Sequence, residues 1–105
     1  MDWTALSKPR GRSPWVLIVE DEENVQGVIV RAMSGFGYQI LIAADAEAAM
    51  PLLPKQPHVA LLDVHLPGAS GLWLADEVRR VSPTTAIILV TGSTWRASAE
   101  VIPPG

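Results

Sequence analysis

The sequence predicts an α/β fold, a doubly wound parallel sheet with helices on both faces. Three observations predict it. Four short apolar runs, rich in β-branched residues, read as strands, those at 16–19, 59–62 and 86–90 buried and the one at 38–42 a second strand between the first two of them. Segments with helical spacing or composition alternate with them. The connections are short, so the order β-α-β-α-β-α-β closes as parallel strands joined by helical crossovers. With 105 residues, 49% of them apolar, there is room for one domain with one core.

Each element has its own justification. Residues 1–14 mix Lys, Pro, Arg, Gly and Ser without period and read as a flexible lead-in. Residues 16–19 (Val-Leu-Ile-Val) form an unbroken apolar run that ends in acids. Val25, Val28, Ile29, Ala32, Met33 and Phe36 follow at helical spacing, which predicts an amphipathic helix over 23–35, punctuated by Gly35 and Gly37. After the strand at 38–42, residues 46–53 read as a helix that Pro51 shortens or kinks. The run 59–62 leads into Asp63, Pro67-Gly68 opens a loop, and 72–81 has a clear helical pattern. The strand at 86–90 ends in Thr91-Gly92, and 94–100 reads as a short helix stopped by Pro103-Pro104.

Composition removes several function classes. There is no cysteine, which excludes disulfides and thiolate metal sites and fits a reducing cytoplasm. No apolar run has the length to span a bilayer, so no membrane contact is expected. The basic residues before the first strand do not make a signal peptide, because the apolar run is short and leads into Glu20-Asp21-Glu22-Glu23. The net charge of −3 is uneven, with an excess of basic residues before position 14 and four adjacent acids at 20–23. A nucleic-acid footprint would be a basic patch. This charge instead suits a hard cation.

Polar residues end three of the strands: Glu20-Asp21 the first, Asp63 the third, Thr91 the fourth. Parallel strands put these ends on one edge of the sheet, where ligands of such folds sit. If strands one, three and four are adjacent, three carboxylates and a hydroxyl converge. Like charges brought close stay ionised only when something neutralises them. Oxygen ligands without Cys or His side chains favour Mg²⁺ over zinc. The bland readings differ residue by residue. Glu22 and Glu23 read as acids at a helix N-terminus. The side chain of His65 reads as an exposed loop residue, His58 as solvated, and Trp73 and Trp95 as surface or interface aromatics.

Three blocks carry a resemblance: Val16-Leu17-Ile18-Val19-Glu20-Asp21-Glu22; Leu61-Leu62-Asp63-Val64-His65-Leu66-Pro67-Gly68 with Gly71; and residues 87–90 with Thr91-Gly92. In order and approximate spacing they resemble the signature blocks of bacterial response-regulator receiver domains. The resemblance covers about residues 15–100. It implies a flavodoxin-like sheet in the order 2-1-3-4, with a receiver domain over 15–105 behind the lead-in 1–14. It implies that Asp63 accepts a phosphoryl group in a Mg²⁺-dependent reaction that switches signalling. Asp21 would be a direct Mg²⁺ ligand, Glu20 a supporting one, Asp63 itself another, and the His65 backbone carbonyl the third protein ligand. Thr91 would hydrogen-bond the phosphoryl group and act as a switch. The donor would be a phosphohistidine on a sensor histidine kinase or a histidine phosphotransfer protein.

The sequence also departs from the family. The family's fifth strand, with an aromatic switch residue and a lysine, and its fifth helix have no counterpart before Gly105. Lys8 and Lys55 are the only lysines, and neither ends a strand. The expected consequence is an uncovered edge on the strand at 86–90 and self-association through it. The missing lysine motivates an alternative function, a receiver-like interaction module that signals without phosphorylation. An aspartyl-phosphate hydrolase is disfavoured, because its second acid would stand two residues after the nucleophile, where this chain has His65. The domain is therefore expected to be a signalling module rather than an enzyme.

Overall fold

The computed structural model describes residues 14–90 and the backbone of 99–102. Residues 1–13, Thr91, Gly92 and Trp95 lie outside the described residues. Strands β1 (Trp15–Val19), β2 (Gln39–Ala43), β3 (Val59–Asp63), β4 (Ala86–Val90) and β5 (Ala99–Ile102) form one sheet in the order β2-β1-β3-β4-β5. The first four are parallel, in the expected order 2-1-3-4. In this register Val19 is level with Ala43 and Leu62, and Leu62 with Leu89, so the carboxyl ends of the parallel strands share one edge.

The runs of β1, β3 and β4 are continuously apolar because both faces are covered. On one face Leu17, Val19, Ala60, Leu62, Ile87 and Leu89 pack with Ala46, Ala49, Leu53, Leu74 and Val78. On the other, Val16, Ile18, Val59 and Ile88 pack with Met33 and Tyr38. Successive side chains alternate between these two clusters, as the period of two requires.

Helix α1 (Glu23–Gly35) has the bounds that its spacing predicts, and the Glu22 carboxylate accepts from the Asn24 amide at its start. Helix α2 (Ala46–Ala49) starts with Asp45 Oδ1 accepting from the Ala48 amide at 2.7 Å, then tightens into a 3₁₀ segment, Met50–Lys55. Pro51 and Pro54 lack the N–H groups that continued α-helix would use, which is why the expected helix at 46–53 changes type. Helix α3 (Gly71–Val81) is capped by Ser70 Oγ, which accepts from the Trp73 amide at 3.1 Å.

Two expectations are corrected. The end of the chain does not leave β4 bare. β5 pairs with it antiparallel, Ile87 opposite Ile102 and Val90 opposite Ala99. The segment read as a short helix at 94–100 therefore ends in strand, and the route to self-association through an uncovered strand-four edge falls away. Its β-branched Val101-Ile102 suit a strand, and the following prolines suit a strand at an edge. His58 is half-buried rather than solvated. Its ring stacks on that of Tyr38 with centroids 6.3 Å apart, and its backbone donates to Trp15 and accepts from Ala86.

Candidate functional site

β1 and β3 are neighbours, so the residue after Val19 and the residue after Leu62 emerge side by side. These are Glu20 and Asp63. Each is only 4% exposed, while Asp21, one residue further on, is exposed. Their carboxylate oxygens, one from each of the three residues, all lie within 4.8 Å of one another. The convergence that required strands one and three to be adjacent is thus present for all three acids.

The local hydrogen bonds fix this arrangement. The Glu20 amide donates to the carbonyl of Ala43 at 3.1 Å, and Gln26 Nε2 on α1 donates to the carbonyl of Glu20 at 3.0 Å. Glu20 Oε2 accepts from the Asp21 amide at 3.0 Å. Asp63 Oδ1 accepts from the His65 amide at 3.0 Å, which holds the carboxylate against the turn that follows β3. Among the described residues, Asp63 Oδ2 is buried and has no hydrogen-bond partner. A small cavity lined by Val19, Glu20, Ile29, Leu61, Asp63 and Val90 opens beside it.

Burial lifts the Glu20 carboxyl from an ordinary 4.5 to about 8. The adjacent Asp63 and the charge of Asp21 add to the rise, while the bond from the Asp21 amide opposes them. Such a cluster is poorly solvated and short of positive charge. A divalent cation with oxygen ligands would satisfy both the unpartnered Asp63 Oδ2 and the excess charge, so the donor set fits Mg²⁺.

The loop after Asp63 is tied down at several points. The Val64 amide donates to the carbonyl of Val90 at 3.0 Å, and the Gly71 amide donates to the carbonyl of Val64 at 3.1 Å. Glu47 Oε1 on α2 accepts from the Ala69 amide at 3.3 Å. Gln26 and Glu47 are contributions that sequence spacing alone does not reveal. Gln26 sits six residues after the carbonyl it holds, and Glu47 sits 22 residues before its partner. Thr91 lies outside the described residues. Lys55 is exposed and ends the 3₁₀ segment that precedes β3, at the opposite end of the sheet from Asp63.

A parallel sheet in this order, with a buried carboxylate closing its central strand and two more beside it, defines a class of acidic sheet-edge sites. The family model described as "Response regulator receiver domain" matches residues 16–102, and the chain belongs to that family. Among its relatives, the transcriptional regulatory protein YxdJ of Bacillus subtilis is 35% identical over 77 residues, covering 72% of this chain and 33% of that protein. The transcriptional regulatory protein AruR of Pseudomonas aeruginosa is 36% identical over 85 residues, covering 75% of this chain and 34% of that one. The chain thus spans about a third of the length of these two relatives. Among solved structures, a response regulator from Burkholderia pseudomallei with a phosphorylated aspartic acid, calcium ion and citrate superposes with a TM-score of 0.71 at 26% identity, covering 77% of this chain and 48% of that one. The response regulator TrrA from Thermotoga maritima, in complex with Mg²⁺ and BeF, gives 0.70 at 32% identity, covering 79% and 74%. Among the described residues, no helix is long and apolar enough to cross a membrane.

Proposed function

We propose that residues 15–105 act as a phosphoacceptor receiver module, behind a lead-in at 1–14, with Asp63 as the phosphorylated residue. The observation that carries this reading is the Asp63 carboxylate itself. One oxygen is anchored by the His65 amide, and the other is buried beside Glu20 with no hydrogen bond among the described residues. An oxygen left in that state has a cation as its natural partner, and the carboxylate it belongs to is held in place for transfer beside that cation. The phosphorylated aspartate and the Mg²⁺–BeF complex in the two solved relatives support the same reading.

The Asp63 carboxylate would attack the phosphorus of a phosphohistidine on a sensor histidine kinase or phosphotransfer protein. A P–O bond forms, the P–N bond breaks, and the imidazole leaves. Glu20, Asp21, Asp63 and the His65 carbonyl would hold Mg²⁺, which when bound supplies positive charge to the phosphoryl oxygens. The protein's own part is positioning, because phosphoryl transfer asks for alignment and charge balance more than for covalent help. Thr91, which directly follows the last residue of β4, would contact the phosphoryl group and pass the signal on. The module modifies itself rather than turning over a substrate, and its place is the cytoplasm. Without a family lysine at this edge among the described residues, modification should be slow and incomplete.

Intact-mass measurement after treatment with acetyl phosphate tests this reading. The parent should gain one phosphoryl group with Mg²⁺ and none without it, and Asp63→Ala should gain none. A parent that binds Mg²⁺ yet never gains mass would favour signalling by contact alone. Mass gain by Asp63→Ala would point to a different nucleophile.

A further inference from the structure

Gly71 opens α3, and its backbone lies directly against the peptide that carries Asp63. A Cβ placed on Gly71 would stand 2.0 Å from the Asp63 carbonyl oxygen, 2.8 Å from its carbon and 2.9 Å from the Val64 Cα. All three neighbours are backbone, so no side chain can rotate away. Ordinary contact begins at 3.4 Å. Any other residue here must therefore push the end of β3 and the start of α3 apart by more than an ångström. The hydrogen bond from the Gly71 amide to the Val64 carbonyl joins the two from the other side.

We infer that Gly71 is a positioning residue for the phosphoacceptor: the absence of its side chain lets α3 seat against Asp63 and sets where that carboxylate stands relative to Glu20. This inference rests on the reading of Asp63 given above. Two structural features lead to it. The end of β3 is pinned sideways to β4 by the bond from the Val64 amide to Val90, so displacement by α3 cannot be shared with the sheet. The Asp63 carboxylate hangs from that same peptide and, among the described residues, has a single hydrogen bond of its own, from the His65 amide in the loop that α3 closes. A shift of the backbone is therefore passed to the oxygens. Misplacement by about 1 Å costs roughly a hundredfold in a reaction that depends on alignment.

The test compares Gly71→Ala with Ser70→Ala. The second removes the α3 cap, which Ser70 Oγ makes with the Trp73 amide, and does not touch Asp63. In metal-free protein, Gly71→Ala should displace the ¹³C resonance of the Asp63 carboxyl, and Ser70→Ala should not. Gly71→Ala should also raise the Kd for Mg²⁺ by at least about tenfold and slow phosphate uptake from acetyl phosphate by about a hundredfold. Ser70→Ala should lower thermal stability and change both by less than about twofold. A folded Gly71→Ala protein with the parental Asp63 resonance and Mg²⁺ affinity overturns the inference. So does Ser70→Ala reproducing its losses. Should Gly71→Ala fail to fold, the coupling is read in reverse: Asp63→Asn must shift the Gly71 amide resonance more than that of Gly35, and an unmoved Gly71 overturns it. If the parent takes no phosphate, the Asp63 reading fails, while the carboxyl resonance still decides whether Gly71 places that side chain.

Discussion

Helices α1 and α3 lie on opposite faces of one sheet and are both amphipathic in sequence, yet they bury different shares of themselves. α3 hides Gly71, Leu74, Ala75 and Val78. α1 hides Met33 alone, holds Val25, Ile29 and Val30 half-buried, and leaves Val28 57% exposed, and Phe36, which follows its last residue, is 53% exposed. The neighbours account for this. α3 packs on β3, on β4 and on the 3₁₀ segment, whereas α1 packs on β1 and β2. An apolar stripe thus states which side of a helix seeks cover, and the elements alongside decide how much arrives. The contrast has a functional side as well. The well-seated helix is the one whose first residue lies against Asp63. Among the described residues, the thinly covered one reaches the site through Gln26, which holds the Glu20 carbonyl, and through Ile29, which lines the cavity beside Asp63.

Truncating one apolar side chain on each helix should give the largest difference. Leu74→Ala should destabilise the protein by about 2–5 kcal/mol, because it removes a fully buried side chain from a packed face. Val28→Ala on α1 should change stability by no more than about 0.5 kcal/mol. Urea unfolding of both variants measures the difference. Equal losses would mean that α1 is covered as thoroughly as α3.

A smaller effect is expected at the acidic site on the sheet edge. Glu20 titrates near 8 in the folded protein against an ordinary 4.5 in the unfolded chain. The folded state therefore holds a proton that the unfolded state has released. The associated stability is fully present below about pH 4.5, declines as pH rises, and is gone once pH passes about 8. Metal-free stability should fall across that window, and Glu20→Gln should flatten the slope. Cation binding displaces the same proton, so Mg²⁺ affinity should strengthen as pH rises toward 8. Thermal melts without metal and Mg²⁺ titrations at several pH values check both signs. Metal-free stability that climbs from pH 5 to 8 would contradict the burial assigned to Glu20.

Much of this fold and site is legible in the sequence, for identifiable reasons. The runs at 16–19, 59–62 and 86–90 are apolar on both faces, which marks central strands, and their order alone puts Glu20, Asp21 and Asp63 on one edge. α1 carries its start in Glu22-Glu23 and its end in Gly35 and Gly37, so its bounds can be read directly. The final strand is harder. Val101-Ile102 is a short β-branched signal, and an antiparallel partner four residues long depends on β4 being available beside it. The bond between Glu47 and the Ala69 amide joins elements 22 residues apart. No local period encodes such a pair. Gly71 stands within a recognisable block, but its closeness to the Asp63 carbonyl is a fact of packing between a helix and a strand.

The smallest expected effect isolates that last point, because the same substitution can be made in both helices. Gly27 lies within α1, and a Cβ built on it meets nothing within 4 Å. Its φ is not among the positive ones, so alanine fits the backbone without strain. Glycine loses more conformational freedom on folding than alanine and is the poorer helix former. Gly27→Ala should therefore stabilise the protein by about 0.5–1 kcal/mol, a rise in Tm of a few degrees for a domain of this size. Gly71→Ala, the same change in chemical terms, should act in the opposite direction, because its new methyl group has backbone where Gly27 has open space. Differential scanning calorimetry of the two variants reads both signs in one experiment. A lower Tm for Gly27→Ala would mean that something packs on this side of α1, and the contrast between a seated helix and a thinly covered one would then fail at the place where it is easiest to see.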